Sequence, residues 1–336
     1  YRILYSDQRF IPNPPPFTDQ RSLGRDQEIL EAASALVIVP KNATATSKVV
    51  AWDHPTIGQA DQCSVTRGFA LIDMPVIGGQ SNGGAQINAG DMSFFMEQTL
   101  AAGNIIVMPD YMGIGVNGPT QFKKSYAIGQ QEARDNFYAI KALQATAGKV
   151  PGWNGVGAGD ETWTGTDFVA MGHSQGGHAA MWTGVESQRD WAKRLGLNLK
   201  GVVAAAPATD LVQIVSNQWE GYAGWVLGPE LIQTYVSISP ELTAFGLSHN
   251  VLTETGMAEL PYYTTLCTTQ AFADSTRFVP KGINFLQDPA DPKYTPSYAA
   301  WAPLFGQQTP IPTYDPNKPD QNSFPRDLPF LLLSGT

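Results

Sequence analysis

The residues best suited to do chemistry lie in Phe168-Val169-Ala170-Met171-Gly172-His173-Ser174-Gln175-Gly176-Gly177-His178-Ala179-Ala180, an apolar run that breaks into G-x-S-x-G and continues as a predicted helix. A serine hydroxyl is a weak nucleophile unless it is held on a tight strand-to-helix turn beside a general base and backbone N–H donors. Ser174 fits that layout. Gly172 and Gly176 lack side chains, so the turn can close, and the N–H of Gln175 is expected to face the oxyanion formed when Ser174 attacks a carbonyl. The pattern occurs a second time, at Gly79-Gln80-Ser81-Asn82-Gly83. There Asp73 and Pro75 interrupt the preceding apolar run and Gly83, Gly84 and Gly90 break any following helix, so Ser81 reads as loop. His173 and His178 flank Ser174 in sequence, but neither is expected to act as its base. His173 should point away from the nucleophile's side of the turn, and His178 should pack or hydrogen-bond along the helix.

Those elements belong to a chain of 336 residues, 43% apolar and 15% charged, which describes a globular protein with a substantial core. One large α/β domain with an insertion fits as well as two domains. The net charge of -9 argues against a nucleic-acid surface and leaves neutral or apolar substrates open. No apolar stretch reaches the length of a membrane span, which predicts a soluble protein. The start at Tyr1 fits removal of a leader and fits a recombinant chain equally well. Cys63 and Cys267 are the only thiols, without CxxC spacing, so the choice lies between a long-range disulfide, which we favour, and two inert buried thiols. No metal or organic cofactor is expected.

Read in order, residues 1–34 are proline-rich at Pro12, Pro14, Pro15 and Pro16, and are expected as an extended arm lying over the domain. Residues 35–209 read as the first part of an α/β core. Ala35 to Pro40 and Val49 to Trp52 are predicted strands, joined by a polar loop that holds the glycosylation pattern Asn42-Ala43-Thr44. Asp53 and His54 follow in the loop that, in hydrolases of this layout, supplies the second oxyanion donor. Met92 to Ala102 and Ile128 to Ala145 have helical spacing; Asn104 to Tyr111 and Leu199 to Pro207 read as buried strands. This alternation predicts a mainly parallel sheet with helices on both faces. Residues 210–326 change character: aromatics interleave with Pro and Gly, which suits a cap over an apolar pocket. Leu328 to Ser334 then reads as a buried strand, residues 327–336 returning the chain to the core.

Several pieces now coincide: Trp52-Asp53-His54 before Cys63, Met108-Pro109-Asp110-Tyr111-Met112-Gly113-Ile114-Gly115, Gly172-His173-Ser174-Gln175-Gly176-Gly177-His178, and a long cap before Leu331-Leu332-Leu333-Ser334-Gly335-Thr336. Together they resemble the secretory lipase family of α/β-hydrolases, from about Ala35 onward. The resemblance implies Ser174 as nucleophile, the N–H of Gln175 as first oxyanion donor, and Asp53 or its neighbour His54 as the second. It also implies a bridge from Cys63 to the cap cysteine Cys267, a secreted or periplasmic location, and hydrolysis of carboxylic esters, often of lipids.

One departure matters. In this family the catalytic acid and histidine follow the strand matching Pro329 to Ser334, and no Asp, Glu or His follows Asp327 here. The leading expectation is that both reside on a C-terminal fragment of the same polypeptide, beyond Thr336, cut or processed from it. An unusual triad of Ser174, Asp210 and His249 is a second, and a non-catalytic relative that binds apolar ligands a third. A peptidase is the runner-up among enzymes. It needs an acidic pair for an amino terminus, for which Glu220, Glu230 and Glu241 are available. The expected partner is a small-molecule or lipid ester, with no nucleic acid and no membrane span.

Overall fold

Alternation along short apolar strands builds the sheet. In the strand Val49–Asp53, Val49 and Ala51 pack to one side with Ile105 and Val107, while Val50 and Trp52 pack to the other with Ile106 and Met108. The computed structural model describes residues 1–16, 24–44, 46–68, 96–116, 124–146, 165–310 and 324–334. Its strands are β1 (Arg2–Pro12), β2 (Gly24–Ile38), β3 (Val49–Asp53), β4 (Ile105–Pro109), β5 (Asp167–His173), β6 (Asn198–Ala205) and β7 (Phe330–Leu333). They form one sheet in the order β1-β2-β4-β3-β5-β6-β7. The neighbours from β4 to β7 run parallel, whereas β2 is antiparallel to both β1 and β4.

Three stretches differ from expectation. Residues 2–12 and 24–34 are not an arm over the domain but an antiparallel ribbon in the sheet, Tyr5 opposite Ala33. Pro14, Pro15 and Pro16 fall after β1 ends at Pro12, so they do not interrupt its pairing. At the other edge, β7 was expected to be buried, yet Leu331 and Leu332 are 51% exposed. Among the described residues it pairs only with β6; Phe330 packs against Phe324, while Leu331 to Leu333 are exposed. The second G-x-S-x-G, Gly79 to Gly83, lies outside the described residues.

Short helices α1 (Val65–Gly68) and α2 (Glu97–Ala101) follow β3 and precede β4. The opposite face is covered by α3 (Gly129–Thr146), α4 (Gln175–Glu186) and α5 (Asp190–Arg194). Phe137, Ile140 and Leu143 of α3 pack on β3, β4 and β5, while Ala180, Met181 and Val185 of α4 pack on Ala170, Val202 and Ala204. Between β6 and β7 the chain makes α6 (Leu211–Asn217), α7 (Gly221–Ile238), α8 (Pro240–Ser248), α9 (Glu254–Tyr263), α10 (Thr268–Ser275) and α11 (Thr295–Gly306). Asp210, Ser239 and Thr253 cap three of them by accepting from backbone N–H groups. The aromatics mostly form this insertion's own core: Trp225 stacks on Phe278 at 4.2 Å, and Tyr235 meets Trp301 and Phe305 edge-on.

Cys63 and Cys267 are bonded, joining the loop after β3 to the start of α10 across 204 residues of chain. Ile57 O accepts from Thr268 N at 3.1 Å beside the bridge, and Gly58 pairs with Cys267. Among the described residues no helix is long and apolar enough to cross a membrane.

Two predictions follow from this packing. Closing so long a loop removes entropy from the unfolded chain, so Cys63→Ser with Cys267→Ser should cost about 2–5 kcal/mol, read as a thermal midpoint lowered by about 5–15 °C. Asp110 and Asp135 are buried, which pushes each carboxyl up to about 6 against the hydrogen bonds each accepts. The fold thus favours their protonated forms. That share of stability is fully present below about pH 4 and is lost as pH climbs through about 6. Urea midpoints from pH 4 to 7 should fall across that window, and less steeply in Asp135→Asn; an equal slope in both proteins would refute it.

Candidate active site

Strand β5 delivers Ser174 to the turn into α4 with φ 56° and ψ -117°. A residue with a Cβ is strained in that region, so surrounding bonds must hold it there. Ser174 N donates to Ala205 O at 2.9 Å, and Ser174 O accepts from His178 N at 3.1 Å and Ala208 N at 3.2 Å. The two glycines are required by contact. A Cβ on Gly172 would sit 2.2 Å from Gly176 O, and one on Gly176 would sit 1.9 Å from Asp53 O. The turn is therefore wedged against the end of β3.

Ser174 opens on a cavity of about 350 Å³. Thr56, Tyr126, Gln175 and His178 line it near the serine, and Leu211, Val215, Leu227, Leu231, Ile232 and Leu286 from the helical insertion line the rest. Gln175 is the first residue of α4, so its N–H has no carbonyl four residues back within the helix. Thr56 Oγ1 and Tyr126 Oη lie 2.9 Å apart. Sequence reasoning passed over both, although Thr56 stands in the loop already marked for an oxyanion donor.

Asp53 ends β3, fully buried, and its Oδ2 accepts from Asn136 Nδ2 at 2.9 Å. Burial pushes its carboxyl well above the ordinary range, and the Asn136 bond offsets only part of that. The His54 Nδ1 faces Pro55 O at 2.7 Å, its ring lies 4.3 Å from that of Tyr111, and Tyr111 Oη donates to His54 O. Neither Asp53 nor His54 is among the side chains lining the cavity; Thr56 is.

The four histidines of the chain are all described. Only His178 lines the cavity, and both its nitrogens are engaged: Nδ1 with Glu132 Oε2 at 2.8 Å and Nε2 with Gln308 O at 2.7 Å. His173 ends β5 and does not line the cavity. His249 packs on Phe245, with its Nδ1 3.0 Å from Phe245 O, and Asp210 caps α6. Neither lines the cavity beside Ser174. The acidic candidates are likewise apart. Glu220 precedes α7, Glu241 pairs with Arg25, and Glu230 is buried with its carboxyl pushed up to about 8. None of the three lines the cavity. No group of His, Cys, Asp and Glu able to hold a metal is present among the described residues.

The insertion is stapled to the loop after β3 by more than the disulfide. Gln59 Nε2 donates to Glu230 O at 2.6 Å and Thr234 Oγ1 at 2.8 Å, and Thr268 Oγ1 donates to Thr56 O at 3.1 Å.

This architecture has solved counterparts. The chain superposes on the rice cell wall degrading esterase LipA from Xanthomonas oryzae with a TM-score of 0.61 at 18% identity, covering 90% of this chain and 70% of that one. It superposes on Candida antarctica lipase A with a TM-score of 0.58 at 17% identity, covering 90% of this chain and 59% of that one. At such identities the likeness establishes the α/β-hydrolase fold. No curated protein matches by sequence. The secretory lipase profile, however, matches residues 84–290, which hold the elbow at Ser174 and most of the helical insertion. That span is more than half of the sequence, and the chain therefore belongs to the secretory lipase family of carboxylic ester hydrolases.

Proposed function

We propose that Ser174 is the nucleophile of a serine esterase or lipase working through an acyl-enzyme. The observation that carries this reading is the strained backbone of Ser174, φ 56°, on a glycine-flanked turn that opens on an apolar cavity. The hydroxyl oxygen attacks the ester carbonyl carbon and its proton passes to an imidazole. The negative charge on the carbonyl oxygen is met by the N–H of Gln175 and by a second backbone N–H at Asp53 or His54, in the loop whose Thr56 lines the cavity. Collapse releases the alcohol, which takes the proton from the imidazole; water then repeats the sequence on the acyl-serine. An acyl chain lies along Leu211, Leu227 and Leu231, an apolar lining suited to lipid or other hydrophobic esters. Burial favours the uncharged carboxyl of Asp53, which keeps a negative charge away from the oxyanion.

Asp210 and His249 stand at helix ends and do not line the cavity, so neither is assigned as the acid or the base. The insertion 210–326 acts as the cap. A secreted or periplasmic protein accords with the disulfide.

A fluorophosphonate should label the wild type and not Ser174→Ala, and that substitution should cut turnover of p-nitrophenyl esters by about 10³-fold or more. Label retained in Ser174→Ala would refute the nucleophile. Faster cleavage of an aminoacyl anilide than of esters would favour the peptidase, and binding of apolar ligands by an unlabelled wild type would favour a non-catalytic relative.

A further inference from the structure

Glu132 lies in the first turn of α3, wholly buried, and does not itself line the cavity. Two donors and one imidazole nitrogen converge on its carboxyl group. Oε1 accepts from Ala127 N at 3.1 Å and from Gln175 Nε2 at 2.9 Å, while Oε2 faces His178 Nδ1 at 2.8 Å. All three residues line the cavity beside Ser174. The ring continues outward: His178 Nε2 and Trp182 Nε1 both meet Gln308 O, and Gln308 Oε1 accepts from Gly129 N at 2.9 Å. A buried carboxylate of this kind is weak support for stability, because an apolar side chain of similar volume packs as well. Its value must lie in geometry.

That geometry is specific. Gln175 and His178 stand three residues apart on α4, one turn along the same helical face, and one carboxylate holds both. Two anchors a turn apart fix the rotation of the helix start about its own axis. Ala127, the third anchor, has φ 53°, so its loop is also held away from relaxed backbone. We infer that Glu132 is a positioning residue for ester hydrolysis: its bonds to Gln175, His178 and Ala127 set the direction in which the N–H of Gln175 points into the cavity. This rests on Ser174 as nucleophile and on that N–H as oxyanion donor. Donors to an oxyanion act only when they are already aimed, so a small rotation of this turn is costly to rate and cheap to binding.

The test uses the purified protein and three variants, Glu132→Gln, Gln175→Ala and the double change. In Glu132→Gln an N–H replaces one acceptor and confronts another donor. We expect kcat for p-nitrophenyl butyrate and the rate constant of fluorophosphonate labelling both to fall about 10- to 100-fold, with KM changed less than about threefold. Gln175→Ala keeps the backbone N–H and removes only its anchor; it should lower kcat similarly with little change in thermal midpoint, and remains informative if Glu132→Gln does not fold. The double variant should be no slower than about threefold below Glu132→Gln, because both changes cut one path. Losses that multiply, or a normal kcat per labelled site with only a lowered thermal midpoint, would overturn the inference. Absence of label at Ser174 in the wild type would show instead that the nucleophile reading has failed, and the role of Glu132 with it.

Discussion

The closeness of Gly176 to the carbonyl of Asp53 governs the rest of this site. Because no Cβ fits there, the elbow can lie directly on the end of β3, and because β3 and β5 pair in parallel with Asp53 opposite Gly172, that contact recurs at the same level of the sheet. Bringing the strand ends together places the loop after β3 beside the first N–H groups of α4, where an oxyanion needs donors from two chain segments. The strain at Ser174 is the counterpart of this closeness. Backbone held in so sparsely populated a region costs about 1–3 kcal/mol, and persists here because Ala205, Ala208 and His178 fix both its N–H and its C=O.

A second constraint acts from above. The loop after β3 is tied to the helical insertion covalently through Cys63 and Cys267, and by hydrogen bonds through Gln59 and Thr268. The loop that lines the cavity with Thr56 is thereby tied to α10, while α7, which carries much of the apolar lining, joins it through Gln59 and packs on α10 where Tyr222 stacks on Phe272.

Legibility in the sequence followed the same physics. Strands β3, β4 and β5 and the helices α3 and α4 were readable because each has one period and lies inside the sheet, where pattern and burial coincide. Edges were not readable. Whether residues 2–12 pair and whether Leu331 is covered both depend on a neighbour, and a prolyl cluster or an apolar run says nothing of that. The insertion hid its helices behind breakers: Pro229, Pro261 and Pro303 lie inside α7, α9 and α11. An interior proline costs a helix about 3 kcal/mol, which the aromatic core around Trp225 and Trp301 and the caps at Asp210, Ser239 and Thr253 offset. Glu132 was illegible for a different reason. One glutamate near the start of a predicted helix reads as a solvated, dipole-favoured charge, and only the placement of Gln175 and His178 reveals it as the centre of a ring.

Two carboxyl groups lie buried behind the elbow, and they are treated in opposite ways. Asp53 receives one amide donor, from Asn136, and its Oδ1 has no hydrogen-bond partner among the described residues, so burial prevails and its carboxyl is pushed well above the ordinary range. Glu132 is met by Ala127 N, Gln175 Nε2 and His178 Nδ1, which together engage both its oxygens. Burial thus disfavours charge at Asp53, at the end of β3. At Glu132 the bonds instead tie the start of α4 to the loop at Ala127.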